Sequence, residues 1–427
     1  MALATAPELA TDPTFTLEQT VALERFAKLR VGGVFMEQGM GKTRVAVELA
    51  NYRTDSLDAV LWVAPFSVLA AVETEVAKWG CTLPVRFLGY ETLAQSDRTY
   101  LEVLAWCEDR KFLIIADEST FIKNGDSKRS KRMLQLRKHA DYALALNGTP
   151  LTRDLWDLKR QMDFLSPKIL ATDDRAFRYK YFTMNKMIDD RGEERIWFET
   201  YEPNVAHLQS LMAPYIFEAK LQFGLPETTL VREHSASPEG HLAYAVVRDE
   251  FFKAWETGAD EMALYEMLGK LGLIAATDPL KCESVAVWAR YRHTLVFCQY
   301  REEQRLIAAA LDGKCLVING DTPAAERVSI FERSKTELVP LLLTYGVGSF
   351  GLNLQHFSEC HFASLGFHYG RQQQAKSRIR RLGQESAIEY TEHVTDLGID
   401  ALIAKNLTKK GWLADLVRHA FDPRTIL

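Results

Sequence analysis

A glycine-rich loop between an apolar run and a helical pattern constrains the fold of this chain more than any other feature. The run at 33–36 predicts a buried strand, and the pattern at 44–51 predicts a helix. The residues at the joint are Met36, Glu37, Gln38, Gly39, Met40, Gly41, Lys42 and Thr43. Glycines allow a backbone to wrap around phosphate, and the first turn of a helix offers free N–H groups. We therefore predict a phosphate-binding loop, although Met36 stands where the full pattern has a glycine.

Lys42 and Thr43 give this loop its expected chemistry. A lysine at this position neutralises the charge of the β- and γ-phosphates of a nucleotide, and the threonine hydroxyl is a ligand for Mg²⁺. We therefore predict that residues 36–43 bind ATP, that Lys42 is a catalytic residue and that Thr43 is a metal ligand.

Two adjacent carboxylates, Asp117 and Glu118, follow the apolar run at 112–116. Open parallel sheets bind their ligands at the carboxyl ends of strands, where this pair would lie. We expect Asp117 to hold Mg²⁺ and Glu118 to polarise the attacking water, so both are predicted catalytic residues. Acidic pairs are also common in surface turns. The catalytic interpretation therefore depends on the buried strand ahead of the pair and on the phosphate-binding loop.

Two further patterns allow both a structural and a functional interpretation. Gly148 and Thr149 end the apolar run at 142–146 and fit a simple turn. Gln374, Arg378 and Arg381 would share one face if their segment is a helix. Two guanidinium groups on one face would stabilise the charge of a transferring phosphate, and a solvated basic face would contain the same residues.

Apolar runs alternate with helical patterns in two series, which is typical of parallel sheets with crossover helices. The runs lie at 33–36, 59–64, 112–116 and 142–146, and then at 294–298, 315–318, 340–344, 361–365 and 388–394. We therefore predict an α/β fold of two lobes. The first lobe is predicted at 1–225, with a helical insertion at about 160–215. The second is predicted at 226–427, with a helical segment at about 235–285 and a C-terminal helix at about 399–417.

Composition and charge exclude some classes of protein. The net charge of -5 gives no general attraction to nucleic acid, so such binding would rely on local basic patches, of which 128–138 is one. The alternative to nucleic-acid binding is that this patch is a solvated face of a helix. No run approaches the ~20 apolar residues of a membrane helix, and the start has no export signal. The six cysteines are scattered without a CxxC pair, which is typical of reduced thiols. We expect a cytoplasmic protein with no membrane partner.

Taken in order, the motifs resemble the superfamily-two helicase core, and within it the Swi/Snf family of DNA-dependent ATPases. Residues 39–43 are similar to motif I, residues 117–124 to the Asp-Glu box with its continuation, and residues 148–167 to the neighbourhood of motif III. Residues 295–299 resemble motif IV, residues 348–354 motif V, and residues 374–384 motif VI. The resemblance covers roughly residues 14–400 and implies two RecA-like lobes that hydrolyse ATP between them.

The resemblance also implies functions for individual residues. It implies that Gln19 reads adenine, that Gly351 belongs to the nucleotide site, and that Gln374, Arg378 and Arg381 face ATP as catalytic residues. It implies contacts with duplex DNA, independent of its sequence, at Pro65, Ser67, Lys123, Gln299, Thr322 and Asn353. Gly148 and Thr149 would couple the ATP site to the DNA site.

This chain departs from the family pattern at three further places. The acidic-tryptophan segment of the family appears here as residues 366–369, which keep aromatic residues and lose the acid. Phe217 and Glu218 replace an arginine pair between the lobes. Ser119 and Thr120 end the Asp-Glu box, so any link from this box to motif III must pass through hydroxyl groups.

We expect a monomeric ATP-dependent translocase on duplex DNA, with room for a protein partner in a larger assembly. Almost no chain remains outside the core, which favours a compact bacterial or phage-type protein. Two alternatives stay open. The first is a strand-separating or annealing helicase in DNA repair or recombination. The second is an ATP-dependent switch that DNA does not drive.

Overall fold

The chain divides into two compact units, Met1–Leu221 and Gln222–Leu427. A computed structural model describes residues 14–148, 155–188, 194–221, 224–256, 261–348, 354–366, 369–381 and 384–409. Each unit has its own six-stranded sheet and its own buried apolar core.

All strands of the six-stranded sheet in the first unit are parallel, in the order β3-β2-β4-β5-β1-β8. The strands of this unit are β1 Val31–Met36, β2 Ala59–Ala64, β3 Val85–Gly89, β4 Phe112–Asp117, β5 Tyr142–Leu146, β6 Phe182–Ile188, β7 Glu194–Thr200 and β8 Ile216–Ala219. Strands β2 and β4 are buried along their whole length, because helices cover both faces of the central strands.

Nine helices accompany these strands in the described part of the first unit. They are α1 Leu17–Ala27, α2 Lys42–Asn51, α3 Leu69–Lys78, α4 Tyr90–Gln95, α5 Asp97–Glu108, α6 Lys128–Arg137, α7 Trp156–Leu165, α8 Asp174–Tyr181 and α9 Val205–Met212. A short 3-10 helix, Ser119–Ile122, directly follows the acidic pair after β4.

The insertion predicted as helical at about 160–215 contains a β-hairpin. Strands β6 and β7 pair antiparallel, with Met184 opposite Phe198 and Asn185 opposite Trp197. Aromatic and β-branched residues favour strands, and β7 contains Ile196, Trp197 and Phe198 in a row. The helical prediction was therefore wrong between α8 and α9.

The second unit repeats the parallel arrangement, in the order β11-β12-β10-β13-β14-β9. Its strands are β9 Glu227–His234, β10 Leu295–Cys298, β11 Leu316–Ile318, β12 Leu341–Thr344, β13 Glu359–Phe362 and β14 Ile388–Thr395. Its helices are α10 Pro238–Glu256, α11 Glu261–Ala276, α12 Pro279–Ala289, α13 Arg301–Ala310, α14 Ala324–Ser334, α15 Tyr345–Gly348, α16 Tyr369–Lys376 and α17 Gly398–Lys409. Residues 410–417 of the predicted C-terminal helix lie outside the described residues.

The two parallel sheets confirm the predicted α/β fold of two lobes. Within the two six-stranded sheets, the strands that the sequence did not predict are β3, β8 and β9, and all three are edge strands. All six cysteines are free thiols, four of them buried. Within the described ranges, the helices are either too short or too polar to cross a membrane.

Candidate active site

Three of the predicted motifs meet along one edge of the first sheet, the edge formed by the carboxyl ends of its strands. Strands β4, β5 and β1 are neighbours and run parallel, so their carboxyl ends lie side by side. The glycine-rich loop follows β1, Asp117 ends β4, and Gly148 lies two residues beyond β5. This edge is where open parallel sheets bind their ligands.

The loop has the backbone that a phosphate site requires. Gly39 and Gly41 have φ angles of 84° and 82°, in the left-handed region that glycine adopts without strain. Among the described residues, no side chain caps the start of α2, which follows Gly41 directly. A Cβ atom on Gly41 would lie 2.4 Å from Nε2 of Gln19, so a larger residue does not fit. The loop and the helix start together form a cradle for an anion.

Lys42 lies at the centre of the three motifs. Its Nζ donates to the carbonyl of Met36 at 2.9 Å and lies 3.5 Å from that of Glu37. A Cβ atom on Gly148 would lie 3.6 Å from this Nζ and 3.0 Å from Cγ of Gln38. The glycine after β5 therefore leaves open the space beside the lysine, which is the space that phosphate oxygens need.

Asp117 is buried at the end of β4, and both of its carboxylate oxygens accept a hydrogen bond. Oδ2 accepts from the indole N–H of Trp62 at 3.2 Å, and Oδ1 accepts from the backbone N–H of Glu118 at 3.0 Å. Burial and the charge of Glu118 raise the pKa of Asp117 to about 7, while Lys42 and Trp62 oppose the rise. A divalent cation would favour the ionised form of such a carboxylate.

These residues suit a nucleotide with its Mg²⁺. The carboxylate of Asp117 and the hydroxyl of Thr43, at the start of α2, are the oxygen ligands that Mg²⁺ prefers. A carboxylate oxygen has two lone pairs, so each oxygen of Asp117 can bind a cation as well as accept its hydrogen bond from Trp62 or Glu118. The donor set therefore fits the predicted metal ion.

Glu118 stands on a turn in the backbone. Its φ of 48° and ψ of 55° are left-handed, an arrangement that costs free energy for any residue other than glycine. The hydroxyl of Tyr90 donates to the carbonyl of Asp117 at 2.9 Å, directly before this turn. Such backbone outliers concentrate at functional sites, which agrees with the role predicted for Glu118.

A buried network of side chains links the Asp-Glu box to β5 and α7. The hydroxyl of Ser119 donates to Oε1 of Gln161 at 2.6 Å and accepts from Nδ2 of Asn147 at 3.3 Å. Nε2 of Gln161 donates to the carbonyl of Asp157 at 2.8 Å. The hydroxyl link to motif III, which the sequence left open, therefore runs through Ser119.

Gln19 is buried against the phosphate-binding loop. Its Nε2 donates to the carbonyl of Met40 at 2.8 Å, and its Oε1 accepts from the backbone N–H of Thr16 at 3.2 Å. Thr16 and Gln19 form a capping box at the start of α1. The structure thus gives Gln19 a role in holding the loop.

The motif VI residues of the second unit lie at the end of a helix. Helix α16 ends at Lys376, so Gln374 is helical and Arg378 and Arg381 are not. The hydroxyl of Ser377 donates to the carbonyl of Gln374 at 2.7 Å and competes with the helical ladder. The three residues would share one face only in a continuous helix, and the helix ends before Arg378. Arg378 is buried, and Nε of Arg381 donates to the carbonyl of Ser377 at 3.1 Å.

The residues predicted to contact DNA follow strands in both units. Pro65 and Ser67 come after β2, Gln299 after β10, and Thr322 after β11. Lys123 forms an ion pair with Asp157 at 3.5 Å. Thr149, Gly351 and Asn353 lie outside the described residues.

The basic patch at 128–138 is held largely by partners within the unit. Lys128 and Arg132 both form ion pairs with Asp97. Arg137 donates to the carbonyls of Leu165 and Ala140. Much of this positive charge therefore contributes to contacts of α6 within the unit.

Sequence reasoning missed the residues that support the motifs. Trp62, Tyr90, Asn147 and Gln161 all form hydrogen bonds with the Asp-Glu box. Trp62 lies inside an apolar run and Tyr90 directly after a strand end, so the order of the chain gave no sign of their partners.

Two protein-family models match the chain, and together they cover more than half of it. The SNF2-related domain matches residues 81–234, and the helicase conserved C-terminal domain matches residues 281–383. The first match begins after the glycine-rich loop and includes the Asp-Glu box. The second includes the predicted motif VI arginines.

Curated relatives are larger proteins. The chain is 24% identical to the bovine DNA annealing helicase and endonuclease ZRANB3, over 92% of this chain and 39% of ZRANB3. It is 22% identical to the transcription regulatory protein SNF2 of Saccharomyces cerevisiae, over 88% of this chain and 26% of SNF2. It thus spans less than two-fifths of the length of either protein.

Among solved structures, the Sulfolobus solfataricus SWI2/SNF2 ATPase core in complex with dsDNA is 18% identical. The alignment covers 98% of this chain and 95% of that chain, with a TM-score of 0.43. Both family models and the curated relatives agree with the motif order of the sequence. The chain belongs to the SNF2-related family of helicase-like ATPases.

Proposed function

We propose that this chain hydrolyses ATP with Mg²⁺ and uses the reaction to move along duplex DNA without regard to sequence. The observation that carries the ATP assignment is the convergence of Lys42, Asp117 and Gly148 at one sheet edge. The family to which the chain belongs supports the same chemistry.

In this proposal the residues of the first unit bind and orient the nucleotide. The backbone of residues 39–43 wraps the phosphates, and Lys42 neutralises their charge. Mg²⁺, held by Thr43 and Asp117, would supply further positive charge to the phosphate oxygens. Glu118 orients and polarises the attacking water.

The second unit contributes cations to the same reaction. Arg378 and Arg381 stabilise the charge that develops on the transferring phosphate, and Gln374 assists them. These assignments come from the motif resemblance of residues 374–384 and from the match to the helicase C-terminal domain.

Duplex DNA is the proposed substrate along which the chain moves. Contacts at Pro65, Ser67, Gln299 and Thr322 would reach the phosphate backbone and not the bases, so binding would be independent of sequence and sensitive to salt. A protein partner would determine where the motor is recruited.

One specific observation favours a second candidate function. The relative ZRANB3 is named as an annealing helicase and aligns over 92% of this chain. Steady-state ATP hydrolysis with duplex, single-stranded and forked DNA distinguishes the two. Stimulation by plain duplex supports translocation, and stimulation by forks alone supports annealing or strand separation. Hydrolysis indifferent to every DNA would contradict both and favour an ATP-dependent switch.

A further inference from the structure

Two buried aromatic residues outside the recognised motifs contact the Asp117–Glu118 pair. Trp62 lies on β2, which pairs with β4, and is 1% exposed. Tyr90 is the first residue of α4, directly after β3, and is fully buried. Strand β2 and the start of α4 therefore supply polar groups to the end of β4.

Trp62 acts on the side chain of Asp117. Its indole N–H donates to Oδ2 at 3.2 Å, while Oδ1 accepts from the N–H of Glu118 at 3.0 Å. One fixed donor on each oxygen sets the plane of the carboxylate. An indole N–H is a donor only, so it leaves a lone pair on Oδ2 for another ligand. Such prior orientation is what a metal-binding carboxylate needs from its surroundings.

Tyr90 acts on the backbone of Asp117. Its hydroxyl donates to the Asp117 carbonyl at 2.9 Å, and its ring stacks on Phe121 with centroids 5.4 Å apart. The peptide that it holds leads into Glu118, whose φ is 48°. A left-handed glutamate persists only where its surroundings hold it, and this hydrogen bond is one such restraint.

We propose that Trp62 and Tyr90 are positioning residues for ATP hydrolysis, an inference that rests on the proposed function. Trp62 orients the Asp117 carboxylate for Mg²⁺ and nucleotide. Tyr90 holds the backbone turn on which Glu118 stands. The two residues therefore act on different steps, Trp62 on metal-dependent binding and Tyr90 on turnover.

The test uses substitutions that remove one donor each, Trp62→Phe and Tyr90→Phe, in the full chain. Tyr181→Phe is the matched control, because Tyr181 is 1% exposed and its hydroxyl lies 3.0 Å from Nδ1 of His207 in the same unit. For each variant, kcat and KM for ATP are measured with duplex DNA. Binding of a fluorescent ADP analogue is measured with Mg²⁺ and with EDTA, and melting temperature reports folding.

Trp62→Phe is expected to weaken binding of the analogue about tenfold with Mg²⁺ and less than about twofold in EDTA. Tyr90→Phe is expected to lower kcat about tenfold with KM changed less than about twofold, because Glu118 acts in turnover. In an Asp117→Ala background, Trp62→Phe should have no further effect on binding, which a double-mutant cycle detects.

Two results would overturn the inference. One is that both variants match Tyr181→Phe in kcat, KM and Mg²⁺ dependence. The other is that Trp62→Phe has the same effect with and without Asp117, which would make its role purely structural. If Trp62→Phe fails to fold, the nearly isosteric Tyr90→Phe decides the matter through its split between kcat and KM. An unmodified chain that hydrolyses no ATP would contradict the proposed function itself and this inference with it.

Discussion

The side-chain amide of Gln19 donates a hydrogen bond to the backbone carbonyl of Met40, with 2.8 Å between Nε2 and the oxygen. Met40 lies between Gly39 and Gly41, the two left-handed glycines of the phosphate-binding loop. The same amide takes part in the capping box with Thr16. Gln19, 21 residues before Met40, therefore ties the position of the loop to the first turn of α1.

Gln19→Ala is expected to raise KM for ATP about tenfold, because the loop loses a buried hydrogen bond that fixes its shape. The control is Gln209→Ala on α9, an exposed position where KM should not change. Steady-state kinetics with varied ATP measure both. An unchanged KM in Gln19→Ala would show that the loop holds its shape without this bond.

Ser119→Ala removes the hydroxyl that joins the Asp-Glu box to Asn147 and Gln161. Each of these two side chains loses a buried hydrogen bond, so we expect the free energy of unfolding to fall by about 1–3 kcal/mol. Turnover should fall as well, because β5 and the box no longer move together. Thr120→Ala is the control, with an expected change of less than about 0.5 kcal/mol. Urea unfolding measures the difference, and equal midpoints for the two variants would contradict the assignment of the link to Ser119.

The arginines after α16 allow a comparison of three neighbours. Arg378→Ala and Arg381→Ala are each expected to lower kcat by about 10³-fold, the effect of losing an arginine that stabilises transition-state charge. Arg380→Ala should keep most of the turnover, because Nε of Arg380 pairs with Glu227 at 2.5 Å. Nucleotide binding should survive in all three variants. Loss of turnover in Arg380→Ala alone would refute the assignment.

A chain of three histidines crosses the sheet of the second unit. His361 lies 3.0 Å from a carboxylate oxygen of Glu359, and His361, His393 and His234 follow one another at 2.9 Å. With a neutral ring, His393 donates one hydrogen bond toward His361 and accepts one from His234. The arrangement therefore favours a neutral His393 ring.

Because of this row of histidines, we expect the folded protein to lose stability in acid. Burial, and then the neighbouring His361 and His234, hold the pKa of His393 far below its ordinary value. Below about pH 6.5 the unfolded chain accepts a proton on His393, whereas the folded chain resists it. The free energy of unfolding is therefore fully present above about pH 6.5 and falls as the pH drops below that value.

One pH unit below 6.5, His393 alone is expected to cost about 1.4 kcal/mol. Urea unfolding at pH 7.5 and at pH 5.5 measures this loss, which should be smaller in His393→Gln. His139→Gln, in the other unit of the chain, is the control and should leave the pH dependence as it is. Equal pH dependence in the unmodified chain and in His393→Gln would contradict the account.

The sequence predicts the interior of each sheet better than its edges. Runs such as 59–64 and 112–116 form strands that are buried from end to end, so their apolar character is unbroken. Strands β3 and β9 lie at edges. Three of the five residues of β3 are half-buried and β9 is exposed or half-buried throughout, so their residues are mixed in polarity. A pattern based on burial cannot detect a strand that is not buried.

Local motifs were likewise easier to predict than the contacts between them. The phosphate-binding loop and the Asp-Glu box are short, and each has its own chemistry. The hydrogen bonds that join the box to Trp62 and to Gln161 span 55 and 42 residues of sequence. Only the strand order β3-β2-β4-β5-β1 brings these residues together, and neither composition nor periodicity specifies that order.

The central claim is that ATP is hydrolysed at the edge formed by Lys42 and the Asp117–Glu118 pair. The most direct test is steady-state ATP turnover with saturating duplex DNA, comparing the unmodified chain with Lys42→Ala and Glu118→Gln. We predict that duplex stimulates the unmodified chain and that each substitution lowers kcat by at least about 100-fold with the melting temperature unchanged. Turnover in both variants equal to that of the unmodified chain would contradict the assignment of the site.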